Sequence, residues 1–260
     1  MSGISAIIHT YNSEKYLEEC LQSVSSVDEI IICDMYSTDR TIKIAEKFGC
    51  KIIYHENIGF ADPARNFAIS HAANEWILVV DSDEIIPKEL LEYLREMIKR
   101  QDCPDVFFIP RKNILLGKFL LSWYPNSILR FFRKDSVSFS PHVHCIPEIY
   151  GKIHKINPKQ TQLAIIHYNY DSIESFISRM NKYTTLELEK FKIRKTKFSI
   201  ILAVLRAFGE FLKRYFLKGG FKDGQHGFIF AVLMAFYKFI ALIKLWEADC
   251  IFPQEHFLSK

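Results

Sequence analysis

Short β-branched runs alternate with amphipathic stretches along the first hundred residues. The runs ISAIIHT, DEIIICD, CKIIYH and WILVVD are each long enough for a buried strand and too short for a helix. Between them lie Glu14 to Ser25, Thr38 to Phe48, Pro63 to Ala73 and Pro87 to Arg100, which read as helices. Ser37 and Thr38 follow Asp34 in a polar turn that can start one of these helices. Pro87 suits a first helical turn, where its missing N–H is not needed. Strand and helix repeated four times predict a mostly parallel sheet covered on both faces. Ligands of such sheets sit at the carboxyl ends of the strands. Here those ends are His9-Thr10-Tyr11-Asn12, Asp34, His55-Glu56 and Asp81-Ser82-Asp83-Glu84.

From Asp105 to about Tyr170 the pattern changes. DVFFIP, ILRFFR, VSFS and TQLAIIHY read as strands interrupted by Pro and Gly, without a long helix. From Asp171 the chain turns helical. Asp171 or Ser172 can cap a helix running through Phe191, and Phe198 to Phe216 and Phe228 to Trp246 follow as apolar helices. The segment from Gly219 to Gly224 separates the last two. The expected organisation is an α/β domain over 1–170, with halves 1–100 and 101–170, and a helical extension over 171–260.

Composition narrows the class. At 49% hydrophobic and 25% charged the chain is globular, which excludes disordered, collagen-like and coiled-coil classes. Its six cysteines include no short-spaced pair, so neither a disulfide framework nor a zinc ribbon is expected. The N-terminus lacks the basic and apolar regions of a signal peptide, and a cytoplasmic location is expected. Charge is split: residues 1–100 carry 10 Lys/Arg against 17 Asp/Glu, and residues 101–260 carry 24 against 13. Within the basic half, residues 150–222 hold 15 Lys/Arg and 5 Asp/Glu. The run FIFAVLMAFYKFIALI follows, interrupted by Lys238 and shorter than the roughly 20 residues of a spanning helix. An interfacial anchor on the inner membrane surface is the expectation; the alternative is a helical hairpin packed on the catalytic domain. No nucleic-acid motif accompanies the basic charge, so no nucleic-acid partner is expected.

Candidate chemistry sits at the strand ends. Asp81 and Asp83 close a buried strand, where paired carboxylates are costly unless neutralised. Carboxylate oxygens suit Mg²⁺ or Mn²⁺, which keep open positions for substrate phosphates. The alternative is a polar turn capping the Pro87 helix. Asp34 can accept hydrogen bonds from a base or ribose. Arg65 can pair with a diphosphate, with Asp81, or with a surface carboxylate. No glycine-rich phosphate loop is present, so metal and side chains must hold any phosphate.

The ordered set T-Y-N, D-x-x-S-T-D (Asp34 to Asp39), A-R-N-x-A (Ala64 to Ala68) and D-S-D-E resembles the family 2 glycosyltransferases of the GT-A fold over residues 4–100. The later chain resembles one branch of it, the lipopolysaccharide core glucosyltransferase-like proteins. The match runs through R-x-F-R at Arg130 to Arg133, H-V-H at His142 to His144, H-Y at His167-Tyr168, N-K-Y-T at Asn181 to Thr184 and K-L-W-E at Lys244 to Glu247.

The resemblance implies an inverting, metal-dependent transferase. It would move a sugar from a nucleotide diphosphate donor, a UDP-sugar, to a hydroxyl of a cell-surface glycan or glycolipid. The enzyme would sit peripherally on the cytoplasmic face of the membrane. Thr10 and Asp34 would hold the base, beside Tyr11 and Asn12, and Asp39 and Arg65 would complete the nucleotide pocket. Asp81 would lie near ribose and metal, Asp83 would ligate the metal, and His167, or secondly His144, would complete its shell. One departure stands out. The branch carries Glu directly after H-V-H as a candidate base, and here Cys145 stands there. A thiol does not replace a carboxylate in deprotonating a sugar hydroxyl near neutral pH. Glu148 or Glu84 would then be the base, or the chain would be a catalytically weakened nucleotide-sugar-binding or scaffold protein.

Overall fold

Side-chain alternation along the first strands builds two cores. In the computed structural model, which describes residues 3–57, 64–139, 147–193 and 196–251, β1 is Ile4–Thr10. Its Ile4, Ala6 and Ile8 face one layer and its Ile7 the other, as period two requires. The first layer holds α1 (Leu17–Ser23) through Leu17, Cys20 and Leu21. Into it also pack Leu90, Leu91, Leu94 and Met97 of the later helix Lys88–Ile98. Their spacing makes one apolar stripe. The opposite layer holds Ala64, Ala68, Ile69 and Ala72 around the helix Arg65–Ser70.

The remaining elements follow in chain order. They are β2 (Glu29–Asp34), α2 (Thr41–Lys47), β3 (Lys51–Tyr54), α3 (Arg65–Ser70), β4 (Trp76–Asp81), β5 (Glu84–Ile85), α4 (Lys88–Ile98), β6 (Val106–Ile109), β7 (Arg111–Leu115) and β8 (Lys118–Phe119). Then come β9 (Ile128–Arg133), β10 (Val137–Ser138), β11 (Glu148–Ile149), β12 (Ile153–Lys155), β13 (Ile165–Tyr170), α5 (Ile173–Ile193), α6 (Ile200–Leu212) and α7 (Gln225–Ile251). A seven-stranded sheet runs β12-β6-β9-β4-β1-β2-β3. Strands β1 to β4 are parallel, and β9 lies antiparallel between β4 and β6. Trp76 and Phe131 stack across that antiparallel pair with centroids 4.9 Å apart. This is the mainly parallel, helix-flanked α/β sheet of the GT-A fold.

The chain divides into two compact units, Met1–Asn113 with Tyr124–Tyr168, and Ile114–Trp123 with Asn169–Lys260. The expected boundary near 170 therefore misses one excursion. The segment Ile114–Trp123 belongs with the helices, because Leu115 and Leu120 bury themselves among Phe176, Met180 and Phe230. In the same unit the buried Asp223 carboxylate accepts the amides of Leu121 and Ser122, both at 2.9 Å.

Several expected elements differ in length. Helices α1 and α2 are shorter than their amphipathic stretches, because flanking residues such as Glu14 and Asp39 form the loops at the strand ends; the expected start of the third at Pro63 lies outside the described residues. Pro87 precedes α4 in extended backbone (φ −59°, ψ 143°) instead of occupying its first turn. Of VSFS, Val137–Ser138 form a strand and Ser140 lies outside the described residues, and TQLAIIHY starts as a single turn, Thr161–Leu163, before β13. The last helix is longer than expected, 27 residues from Gln225 to Ile251. Among the described residues it is the one helix long and apolar enough to cross a membrane by length and composition. Lys238 does not interrupt it: its ammonium lies 3.8 Å from Glu187 of α5.

Candidate active site

The carboxyl ends of β1, β2 and β4 carry the charged groups. Thr10 pairs in register with Asp34 and His9 with Asp81, so the parallel sheet aligns these ends by construction. Asp34 is fully buried. Its Oδ1 accepts from Thr10 Oγ1 at 2.8 Å and Ser37 Oγ at 2.6 Å, and its Oδ2 accepts from the Ser37 amide at 2.8 Å. It is therefore held inside the β1 and β2 strand ends, while Tyr11 is exposed. The Asn12 amide donates to Ser37 Oγ at 2.9 Å, and Asn12 Oδ1 accepts from the Thr38 amide at 2.8 Å. Asn12 and Tyr36 hold left-handed backbone, φ 49° and 60°. That conformation costs a non-glycine residue on the order of 1 kcal/mol and persists only where its surroundings fix it. Asp39 ties the two loops together, accepting the amides of Glu14 at 3.0 Å and Thr41 at 2.9 Å.

The β4 end is an arginine–carboxylate array. Arg130 of β9, itself buried, bonds Asp81 and donates to Glu84 Oε1 at 3.0 Å. Arg111 of β7 donates to the same oxygen at 3.0 Å and lies 3.8 Å from Asp81. Glu84 Oε2 accepts the Asp81 amide at 3.0 Å. Burial would raise the Asp81 carboxyl, but Arg130, Arg65 and Arg111 outweigh it and hold Asp81 well below the usual carboxylate range. The Glu84 side chain has no solvent exposure, and both its oxygens are engaged in the array.

Asp83 and His167 meet because β5 pairs antiparallel with β13, setting His167 opposite Glu84. His167 Nε2 lies 3.4 Å from Asp83 Oδ1, and its Nδ1 is 2.8 Å from Asn113 Oδ1. With the Nδ1 proton given to Asn113, Nε2 turns its lone pair toward the carboxylates. Asp81, Asp83 and His167 each offer one ligand atom, all within 4.8 Å of one another. Two carboxylates and an imidazole with a fixed tautomer can hold a divalent cation.

Arg65 opens α3, with its guanidinium 5.1 Å from the Phe139 ring centroid. Glu148 lies on β11, exposed, and accepts from Tyr150 Oη at 2.7 Å. His144 and Cys145 lie outside the described residues. Arg111, Arg130 and Asn113 did not emerge from the sequence as site residues. A buried arginine in the apolar run ILRFFR was the available signal, since a guanidinium at a core position requires carboxylates.

The family model for glycosyl transferase family 2 matches residues 5–150, which includes all these strand ends. The chain belongs to glycosyltransferase family 2. This glycosyltransferase is 31% identical over 267 residues to an uncharacterised glycosyltransferase of Rickettsia typhi, covering 95% of this chain and 88% of the other. It is 26% identical to the lipopolysaccharide core biosynthesis glycosyltransferase LpsC of Rhizobium meliloti, covering 95% and 93%. Among solved structures, residues 1–349 of S. aureus TarS in complex with UDP align with TM-score 0.48 and 20% identity, covering 99% of this chain and 94% of that one.

Proposed function

We propose that this glycosyltransferase moves a hexose from a UDP-sugar to a hydroxyl of a lipopolysaccharide-type glycan or glycolipid, with inversion and with Mg²⁺ or Mn²⁺. The observation that carries the reading is the convergence of Asp81, Asp83 and His167 at the carboxyl end of β4 and on the paired β13. The 26% identity to LpsC over nearly the whole chain supports the acceptor class. Asp83 and His167 Nε2 would hold the cation, and Asn113 would fix the His167 tautomer. When bound, the cation supplies charge stabilisation to the departing diphosphate. Arg130 and Arg111 keep Asp81 ionised, and Arg65 adds positive charge beside it. Thr10, Asp34 and Ser37 set the backbone of the loop that receives the base, with Tyr11 and Asn12 at its edge and Asp39 clamping it to α2. Glu148, exposed on β11, is the carboxylate we assign as the base that takes the hydroxyl proton.

We place the enzyme at the cytoplasmic surface of the membrane, held peripherally. Two features of the helical unit support this. Lys213, Lys218 and Lys222 are exposed beside the apolar side chains Phe216, Leu217 and Phe221. The α7 helix, although long enough to span, is engaged by α5 through Tyr237 Oη to Glu187 Oε1 at 2.9 Å and Lys244 Nζ to Asn181 Oδ1 at 2.7 Å.

A donor screen that measures nucleoside diphosphate release with Mg²⁺ or Mn²⁺ tests the activity. UDP-sugars should be turned over only with a divalent cation. Asp83→Asn should abolish that turnover with the melting temperature unchanged, and Glu148→Gln should lower kcat while UDP affinity holds. Near-normal metal-dependent turnover in Asp83→Asn would remove Asp83 from the cation site.

A further inference from the structure

Helix α6 carries apolar side chains on its outward face as well as its inward one. Its small Ala203 is fully buried, while Ile201, Val204, Leu205 and Phe208 are 70%, 53%, 60% and 58% exposed. At 3.6 residues per turn these four share one face, and that apolar face looks outward. Beside it, α5, α6 and α7 enclose an open cavity of about 470 Å³. Each helix sends one cation to its wall: Lys190, Arg206 and Lys238. The two acids on the wall are already engaged, Glu210 by Arg214 at 2.6 Å and Glu187 by Tyr237 Oη and Lys238. Lys190 and Arg206 have no partner among the described residues, and Ala241 and Leu242 give the cavity an apolar floor.

We infer that this cavity takes the anionic phosphate head group of a membrane lipid, whose acyl chains lie along the outward face of α6. The proposal rests on the membrane-surface reading above and adds to it a built site. Charge complementarity selects the occupant. Two cations left over after the internal pairs are formed offer charge-assisted donors to an anion, and the adjoining apolar face offers contact to hydrocarbon. A phosphate ester carrying acyl chains satisfies both; a free phosphate satisfies only the first.

Co-sedimentation of the full chain with phosphatidylcholine vesicles, with and without phosphatidylglycerol, tests this. At low salt every exposed lysine contributes on the order of 1 kcal/mol to binding an anionic surface, so the decisive measurement is at high salt, where single surface charges are screened and a phosphate held by converging charge-assisted hydrogen bonds from two side chains keeps more of its binding. There Lys190→Gln with Arg206→Gln should lower binding to the anionic vesicles by about tenfold or more, the scale of one to two charge-assisted hydrogen bonds. Lys213→Gln with Lys218→Gln should lower it only at low salt. Leu205→Ser with Phe208→Ser should weaken binding at both. All six positions are exposed, and melting curves confirm that each variant is folded.

Equal losses from the two charge pairs at both salts would overturn the head-group site while leaving peripheral binding in place. Failure of the unmodified chain to sediment at low salt would remove the membrane reading itself. Displacement by inorganic phosphate or glycerol 3-phosphate as effective as by lipid would mark a soluble phosphate ligand and overturn the lipid. A dimer in solution that Phe208→Ser dissociates would show that a second copy covers the α6 face, and would overturn it as well.

Discussion

Arg130 shows how one side chain joins folding to the site. Its guanidinium is buried and spans Asp81 and Glu84, so it neutralises two carboxylates at once. Replacing one member of a buried ion cluster leaves the others without compensation, which typically costs about 3–5 kcal/mol. Arg130→Met keeps much of the volume and removes the charge. It should lower the unfolding free energy by about that amount, read from urea denaturation. Arg130→Met combined with Asp81→Asn should recover part of the loss, since the orphaned charge is then gone. A single variant less than about 1 kcal/mol below the parent would mean that Arg111 alone holds Glu84 and Asp81. Arg111 and Asn113 belong to the same lesson. Both sit in the run RKNIL, which alternates too weakly to be separated from a surface strand by pattern, so their roles arise only from the pairing partners that the fold brings.

At the scale of elements, two glycines in neighbouring helices should respond with opposite sign to the same substitution. Gly→Ala inside a helix ordinarily gains about 1 kcal/mol, because alanine loses less backbone entropy. Gly209 of α6 has open space where a Cβ would go, so Gly209→Ala should stabilise by up to roughly that amount. Gly227 lies in the first turn of α7, and a Cβ there would overlap the carbonyl oxygen of Gly220. Gly220 cannot yield, because a Cβ of its own would already meet Arg214 O at 2.8 Å. Three backbone segments are thus packed at glycine distance, and overpacking of this kind costs about 1–3 kcal/mol. The clash outweighs the propensity gain, so Gly227→Ala should lower the melting temperature while Gly209→Ala raises it. A rise for both would mean that the turn before α7 relaxes freely. The sequence marks Gly219 to Gly224 only as a separator of helices; that the glycines also set the approach of α7 depends on tertiary contact.

Over the whole molecule, what was legible follows from what is local. The short β-branched runs of β1 and β4 and the acidic strand ends at Asp34 and Asp81 are written within a few residues, and parallel pairing then carries them to one edge. The meeting of His167 with Asp83 was expected only through the resemblance, since β5 and β13 are about eighty residues apart. Least legible was His9, which sequence pattern presents as one polar residue among others at the end of β1. Removal of its ring from water, followed by the Arg65 charge, lowers it from 6.5 to about 4. Its folded form therefore stays neutral while the unfolded chain takes a proton. Between pH 6.5 and 4 the unfolded state binds more protons, so stability must fall as pH falls across that window. A displacement of this size corresponds to about 3 kcal/mol in total. Asp81 acts elsewhere: its depressed carboxyl stabilises the fold above its ordinary range near 3.8 and loses that contribution only below it. The two effects separate on the pH axis. Urea unfolding free energies measured from pH 7 to pH 4 should decline in the parent chain and decline distinctly less in His9→Gln, which has nothing to titrate there. Parallel profiles for the two would show that His9 is not held neutral, and the acid sensitivity in that range would then have to come from another group.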